Sequence, residues 1–427
     1  MGHLIKKGRK LVFSLALAGV LGMGSGCSSL TYQDITSALQ SSSGEEPGDS
    51  DSFSANLFGT AQETTAPEDS GKTNEFNAEV VASVTARADS NYYYNLLSEP
   101  EKKNYISVAA ALQEQLDSVK LEETDADVAS KIYSCVLMDY PEYFWCDASY
   151  KYYESAIRQE IEIIPQYNCG VEERQQRQAA VENVVSQIVA QAPSTEDHYE
   201  EIKYVYEYII NNTDYQLDAP ENQNIFSVFN NHASVCAGYA KAMQYLLNRM
   251  GIYCICVSGT TDKGELHAWN IVQCGGEYCY VDATWGDPIY MESVQGETPV
   301  QDTISYDYLC CSQETMQRTH IADSTFTLPA CTTTDYEYYR RSGRFFDSAD
   351  ENQLRELMES DIAQRGERTD MQFASGELYL QAVAICEGSL FDEAAQYLGQ
   401  YYGLSSVSYY RQNEDDTWRI TVWWNYS

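Results

Sequence analysis

The sequence predicts an α+β protein built around a cysteine-bearing helix laid on an antiparallel sheet. Three observations carry this expectation. After Cys236, apolar residues recur at helical spacing (Ala240, Met243, Leu246, Leu247, Met250) until Gly251 supplies a stop. Residues 253–261, "YCICVSGTT", read as a strand. Residues 266–285, "LHAWNIVQCGGEYCYVDATW", read as a hairpin turning at Gly275-Gly276. A helix followed by antiparallel strands packs its apolar stripe on one sheet face.

The 427 residues leave room for two or three cores, and the elements follow in order. Residues 1–27 read as a targeting segment: Lys6, Lys7, Arg9 and Lys10 form a basic start, and Leu11 to Val20 an apolar run short for a membrane span. Gly24-Ser25-Gly26 then leads into Cys27. The segment resembles a bacterial lipoprotein signal, with Gly24 standing where such signals usually carry leucine. That likeness implies lipidation of Cys27 and an exported protein on the cell surface. Residues 28–90, rich in Ser, Thr, Gly and acidic side chains, read as a disordered tether, since they offer little apolar surface to offset ordering entropy.

From 91 the composition turns globular, and 91–193 reads as a mainly helical domain. Ser98 and Glu101 make a capping box, and 171–192 is helical up to Pro193. "DYPEYFWCDASYKYY" breaks the pattern at Pro141 and enters an extended segment. A second domain, 194–330, opens with Ser194 as cap (partner Asp197) for a helix carrying Ile202, Val205, Tyr206, Ile209 and Ile210 on one face. Residues 335–427 read as a small α+β domain. Its terminal hairpin alternates Trp418, Ile420, Val422 and Trp424 onto one face, read as packing on its own helices in preference to a sugar- or peptide-binding face.

A net charge of −37 argues against nucleic-acid binding, which requires basic surface to neutralise phosphate. Thirteen cysteines in an exported chain raise the question of disulfides. With Cys27 and Cys236 set aside an odd number remains, so complete pairing fails. Cys254, Cys256, Cys274 and Cys279 lack the spacing of a structural zinc site; a cross-hairpin disulfide and reduced core thiols both stay open. No metal or cofactor is expected.

Cys236 follows Ser234, a good N-cap, and so falls in the first helical turn. A thiol there meets the positive end of the helix dipole, which favours thiolate, although free cysteines are also common buried fillers. His267 enters the first hairpin arm and Asp282 ends the second. Lying at comparable distances from the turn, the two become cross-strand neighbours. A helix start lying across that sheet would align nucleophile, base and orienting carboxylate. Trp269 and Trp285 are available to exclude water.

These residues match a known pattern. "SVCAGYAKAMQYLLNRMGI", "VSGTT" and "HAWNIVQCGGEYCYVDATWGDP" together resemble the bacterial transglutaminase-like superfamily, whose core is related to papain-type proteases. "YYYNLLSEPEKK", "DYPEYFW" and "YDYLCCSQETMQRTH" resemble segments flanking that core in exported members. The resemblance implies Cys236 as nucleophile, His267 as base and Asp282 as orienter. Ser234 departs from it, standing where many members carry glycine. For the oxyanion, the backbone N–H of Cys236 is one donor and Tyr215 a candidate second, with a core role as its alternative. His232 and His320 read as structural. The function expected is acyl transfer from peptide or glutamine carboxamide through a thioester, to water or an amine, on a protein or cell-wall peptide. The rival reading is a catalytically silent surface module binding peptide or carbohydrate on the same fold.

Overall fold

The computed structural model describes residues 60–65, 74–123, 125–155, 157–287 and 304–426. Cys27, the signal that it closes and most of the 28–90 segment lie outside the described residues. The described part of that segment corrects the tether expectation. Strand β1 (Ala61–Glu63) runs parallel to β3 (Cys146–Ser155), and helix α1 (Ala78–Ala88) buries Val84 and Ala88 behind an Asn77 cap. Val80, Val84 and Ala88 recur every four residues, a short apolar stripe hidden by the polar composition around it.

Helices predominate in the next region, which also carries a sheet. Helix α2 (Glu99–Glu114) starts at the Ser98/Glu101 capping box, with Ser98 N 2.8 Å from Glu101 Oε2. Helices α2 and α3 (Ala126–Asp139) pack on a four-stranded sheet of order β1-β3-β4-β2, with β2 Val119–Leu121 and β4 Glu160–Tyr167, and α4 (Val171–Gln191) follows it in the chain. Ile161 and Ile163 alternate inward along β4, the period-two signal of a half-buried strand. The 193/194 boundary does not divide two cores. One apolar cluster runs from Val84 to Cys310, Tyr93 donates to the Cys256 carbonyl (2.6 Å), and Gln244 donates to that of Met138 (2.8 Å).

Helix α5 (Tyr199–Asn212) follows, but Ser194 does not cap it. His198, at φ 63°, precedes the first turn, Asp197 accepts from Tyr199 N (3.1 Å), and Glu201 reaches back to Thr195 N (2.8 Å). Short parallel strands β5 (Asp214–Tyr215) and β6 (Ala233–Ser234) then lead into α6 (Cys236–Arg249). The central sheet has order β10-β7-β8-β9, with β7 Cys254–Thr261, β8 Leu266–Cys274, β9 Glu277–Val281 and β10 His320–Ala322. Helix α6 packs on β7 and β8 and is pinned by Asn270, whose amide donates to the Ala240 (2.9 Å) and Ile255 (3.1 Å) carbonyls.

The twelve described cysteines are all free and buried. The hairpin register explains why no cross-hairpin disulfide forms: Cys279 lies opposite Val272, and Cys274 opposite Glu277. Beyond, a third four-stranded sheet of order β11-β12-β14-β13 carries its own core. Its strands are β11 Phe345–Phe346, β12 Arg368–Phe373, β13 Ser408–Glu414 and β14 Arg419–Asn425. Helices α7 (Glu351–Ala363), α8 (Gly376–Ile385) and α9 (Phe391–Tyr402) cover it. Ile420, Val422 and Trp424 are buried in this core, whereas Trp418 leaves the row at φ 53° and lies under the Arg318 guanidinium. Among the described residues no helix is long and apolar enough to cross a membrane.

Candidate active site

Cys236 opens α6, but its cap is not Ser234. Val235 occupies that position in extended conformation and makes no side-chain bond. Ser234 instead turns its hydroxyl inward, donating to the Asn222 carbonyl (2.6 Å) with Ser227 Oγ at 2.7 Å. Gly238 accommodates this: a Cβ there would fall 1.9 Å from Ser234 Oγ. A helix-interior glycine ordinarily costs about 1 kcal/mol, and here it lets the first turn press onto the chain that feeds it.

His267 lies opposite Gly259 on β7, which in turn lies opposite Ala322 on β10. A Cβ at 259 would sit 2.1 Å from the Ile321 carbonyl and 2.7 Å from the Trp269 ring, so glycine is what allows β10 and the indole to close over this point. Asp282 follows the last residue of β9, its N–H bonded to the Tyr308 carbonyl (3.0 Å). Its Oδ1 accepts from Thr284 N (2.8 Å) and Trp285 N (3.2 Å), a turn that fixes the carboxylate. Its Oδ2 accepts from His267 Nε2 at 2.6 Å. Because a carboxylate only accepts, the proton sits on Nε2, leaving Nδ1 as the ring nitrogen for the Cys236 thiol, to which His267 is also hydrogen-bonded. Thiol, imidazole and carboxylate thus form one line, all buried.

Burial alone would push the His267 imidazole down, but the Asp282 charge and hydrogen bond, followed by the thiol, carry it up to about 10. Burial likewise opposes ionisation of Asp282, and the two histidines on its Oδ2 overcome it, holding the carboxyl well below its usual range. The imidazole lies 5.9 Å from the Trp269 ring and 6.0 Å from that of Trp285, centroid to centroid.

Tyr215 lies on β5 opposite Ser234, two residues before Cys236, with its ring 6.2 Å from that of Tyr239. It stands beside the chain leading to the thiol and packs against the core there. His232 is exposed, with Nδ1 3.0 Å from the Asn212 carbonyl. His320 corrects the sequence reading. It is no remote structural residue: its Nε2 lies 3.0 Å from Asp282 Oδ2, the oxygen that also holds His267. The two histidines and Asp282 bring ligand-type atoms within 4.8 Å of one another. Both rings approach the carboxylate as N–H against oxygen, so the cluster is one of hydrogen bonds and not of lone pairs facing a common centre. A histidine inside the short apolar run "HIA" was the only signal in the sequence.

The site defines a class: an α+β domain with a helix-start thiol, backed by a histidine and a carboxylate from neighbouring strands. Residues 183–283 match the model of the transglutaminase-like superfamily, and the chain carries a domain of that superfamily. Among solved structures it is similar to a TGase, at 15% identity over 38% of this chain and 47% of that one (TM-score 0.24). A candidate cysteine protease from Cytophaga hutchinsonii shares 16% identity over 30% and 53% (TM-score 0.23). Menin, in a structure revealing its binding site for the Mixed Lineage Leukemia protein, shares 13% over 78% and 67% (TM-score 0.25). The chain spans about half the length of the first two. No match is found among curated proteins.

Proposed function

We propose that this protein is a cysteine-nucleophile enzyme of acyl transfer acting on peptide or glutamine carboxamide bonds. The observation that carries the reading is the continuous hydrogen-bonded line from the Cys236 thiol through His267 to Asp282. In this reading the Cys236 sulfur attacks the carbonyl carbon, and the Cys236 backbone N–H at the helix start receives the developing oxyanion. His267 passes its proton to the departing amine or ammonia as the C–N bond breaks, leaving a thioester. Water or a second amine then gives its proton to His267, attacks the thioester carbonyl and releases the thiolate. Asp282 keeps its charge throughout and holds the ring.

Incubation with a labelled primary amine and a glutamine-rich protein, and separately with cell-wall peptides, tests this. Amine incorporation is expected if aminolysis dominates, and new peptide termini or ammonia if hydrolysis does. Neither product, together with iodoacetamide labelling of Cys236 no faster than that of the other thiols, would favour the silent binding module. Burial raises several of those other thiols, Cys256, Cys331 and Cys386 each to about 12, so a selective probe is expected to find Cys236 first.

We further propose that the protein is exported and anchored to a membrane through lipid on Cys27, on the likeness of residues 1–27 to a lipoprotein signal. Native protein should partition into the detergent phase and Cys27→Ala into the aqueous phase. Aqueous partitioning of both would remove the anchor.

A further inference from the structure

Asp282 holds two imidazoles on a single oxygen, and the acyl-transfer line uses only one of them. His320 Nε2 stands 3.0 Å from Asp282 Oδ2. Its Nδ1 is 2.8 Å from Thr319 Oγ1, which is 2.8 Å from the Tyr308 hydroxyl. His320 is buried among the rings of Trp285 (4.7 Å), Trp269 (5.0 Å) and Tyr308 (5.1 Å). We propose that His320 is a positioning residue for the thiol–imidazole pair: by donating Nε2–H to the oxygen that holds His267, it limits how far Asp282 stabilises the His267 imidazolium, and so how tightly that ring keeps the proton on its Nδ1 face. This inference rests on the acyl-transfer reading of Cys236 and His267.

The protonation pattern follows from the neighbours. The titratable groups facing His320 are Asp282 from the turn after β9, His267 from β8 with Cys236 of α6 behind it, and Tyr308 from the segment preceding β10. The His267 and His320 rings are 5.3 Å apart, too close for both to carry charge cheaply beside one carboxylate. His267 has the thiol on its other side. His320 has only neutral partners there, and burial outweighs the pull of Asp282 to lower it. His320 is therefore the neutral ring, protonated on Nε2 against the carboxylate, with the Thr319 hydroxyl and the Met316 backbone as its other hydrogen-bond partners. A carboxylate oxygen shared by two donors binds each less strongly than it would bind one alone. The consequence for the chemistry follows, because the His267 imidazolium must release its Nδ1 proton to the leaving group at every turnover while Nε2–H stays on Asp282.

The test is titration of His267 by NMR on the full chain with labelled histidine, feasible with five histidines in all. His320→Phe keeps a ring of similar shape among the aromatics and removes the donor; His320→Gln restores an N–H near the Nε2 position. The His267 titration midpoint is expected to rise by roughly one pH unit in His320→Phe and to stay near wild type in His320→Gln. The alkaline limb of the acyl-transfer rate should move with it. An unmoved His267 in folded His320→Phe, or equal shifts in both variants, would overturn the proposal. Should His320→Phe fail to fold, Thr319→Val, which removes the hydroxyl that orients His320, must shift His267; no shift there overturns it equally. Repeating the titration in Cys236→Ser keeps the two readings separable. It reads His320 without needing a nucleophile, whereas an unreactive Cys236 in the wild-type chain counts against acyl transfer alone.

Discussion

Cys236→Ala is expected to abolish acyl transfer, a loss on the order of 10⁶-fold if the site works as other nucleophile–base units do. His267→Ala should cost nearly as much, and the double variant no more than either single one, because the residues form one unit. The Asp282 substitution differs. Its carboxylate accepts from two imidazoles and from two backbone N–H groups, so Asp282→Ala strands four donors. Besides a smaller loss of rate, it should lower stability by about 1–3 kcal/mol, where Cys236→Ala should be nearly neutral. The pH dependence has a definite sign. His267 keeps its proton in the native chain up to about 10, whereas an ordinary imidazole releases it near 6.5. Its contribution to stability is therefore whole below the lower value and is lost as pH climbs through about 10. Acyl transfer should fall over that same alkaline range, as His267 loses the proton that it gives to the leaving group. Single-turnover rates and denaturant melts of the three variants check this. A Cys236→Ala rate within tenfold of wild type would sink the catalytic reading.

The line Cys236–His267–Asp282 was legible because each member sits on a strong local signal: a helix start, a strand start and the end of a hairpin arm. Hairpin arithmetic brings the last two together, since cross-strand neighbours are fixed by the turn. The two-residue strands β5, β6 and β11 carry no comparable signal. His320 was missed for a different reason. It reaches Asp282 only because the three-residue strand β10 returns to pair with β7, and nothing in a three-residue run announces a partner 59 residues earlier in sequence. The boundary at 193/194 misled because Pro and Ser there mark a turn but say nothing of what lies beneath it. There the bonds from Tyr93 to Cys256 and from Gln244 to Met138 sew the two sides together. The Ser234 cap failed because its buried hydroxyl turns inward to the Asn222 carbonyl and Ser227 Oγ instead of to the helix start.

The largest stability effect outside the site is expected at Arg419, the first residue of β14. Its guanidinium is buried and meets the carboxylate of Asp307 side-on, Nε to Oδ1 at 2.9 Å and Nη2 to Oδ2 at 2.8 Å. Ser305 adds a hydroxyl to the same carboxylate (2.7 Å), and Asp370 lies on the far side of the guanidinium (3.4 Å). Asp307 belongs to the segment that runs past the site: Tyr308 receives the Asp282 N–H, and Ser305 receives the Tyr206 hydroxyl (2.7 Å). One ion pair thus joins the sheet of the last eighty residues to the wall of the candidate active site. Removing one partner leaves the other charge buried and unpaired, which typically costs about 3–5 kcal/mol, whereas replacing both by apolar residues of similar volume is often neutral. Arg419→Met should therefore lower the unfolding midpoint sharply, Asp307→Leu should do likewise, and Arg419→Met/Asp307→Leu should recover most of the loss, Asp370 and Glu414 being the remaining charges to satisfy. Activity should follow a different order. The double variant regains stability without regaining the polar clamp on Tyr308, so its acyl-transfer rate should stay below wild type although its melt approaches it. Denaturant melts and single-turnover rates on the same four proteins decide the matter. Single-variant melts indistinguishable from wild type would show that solvent reaches the pair and that it holds nothing in place.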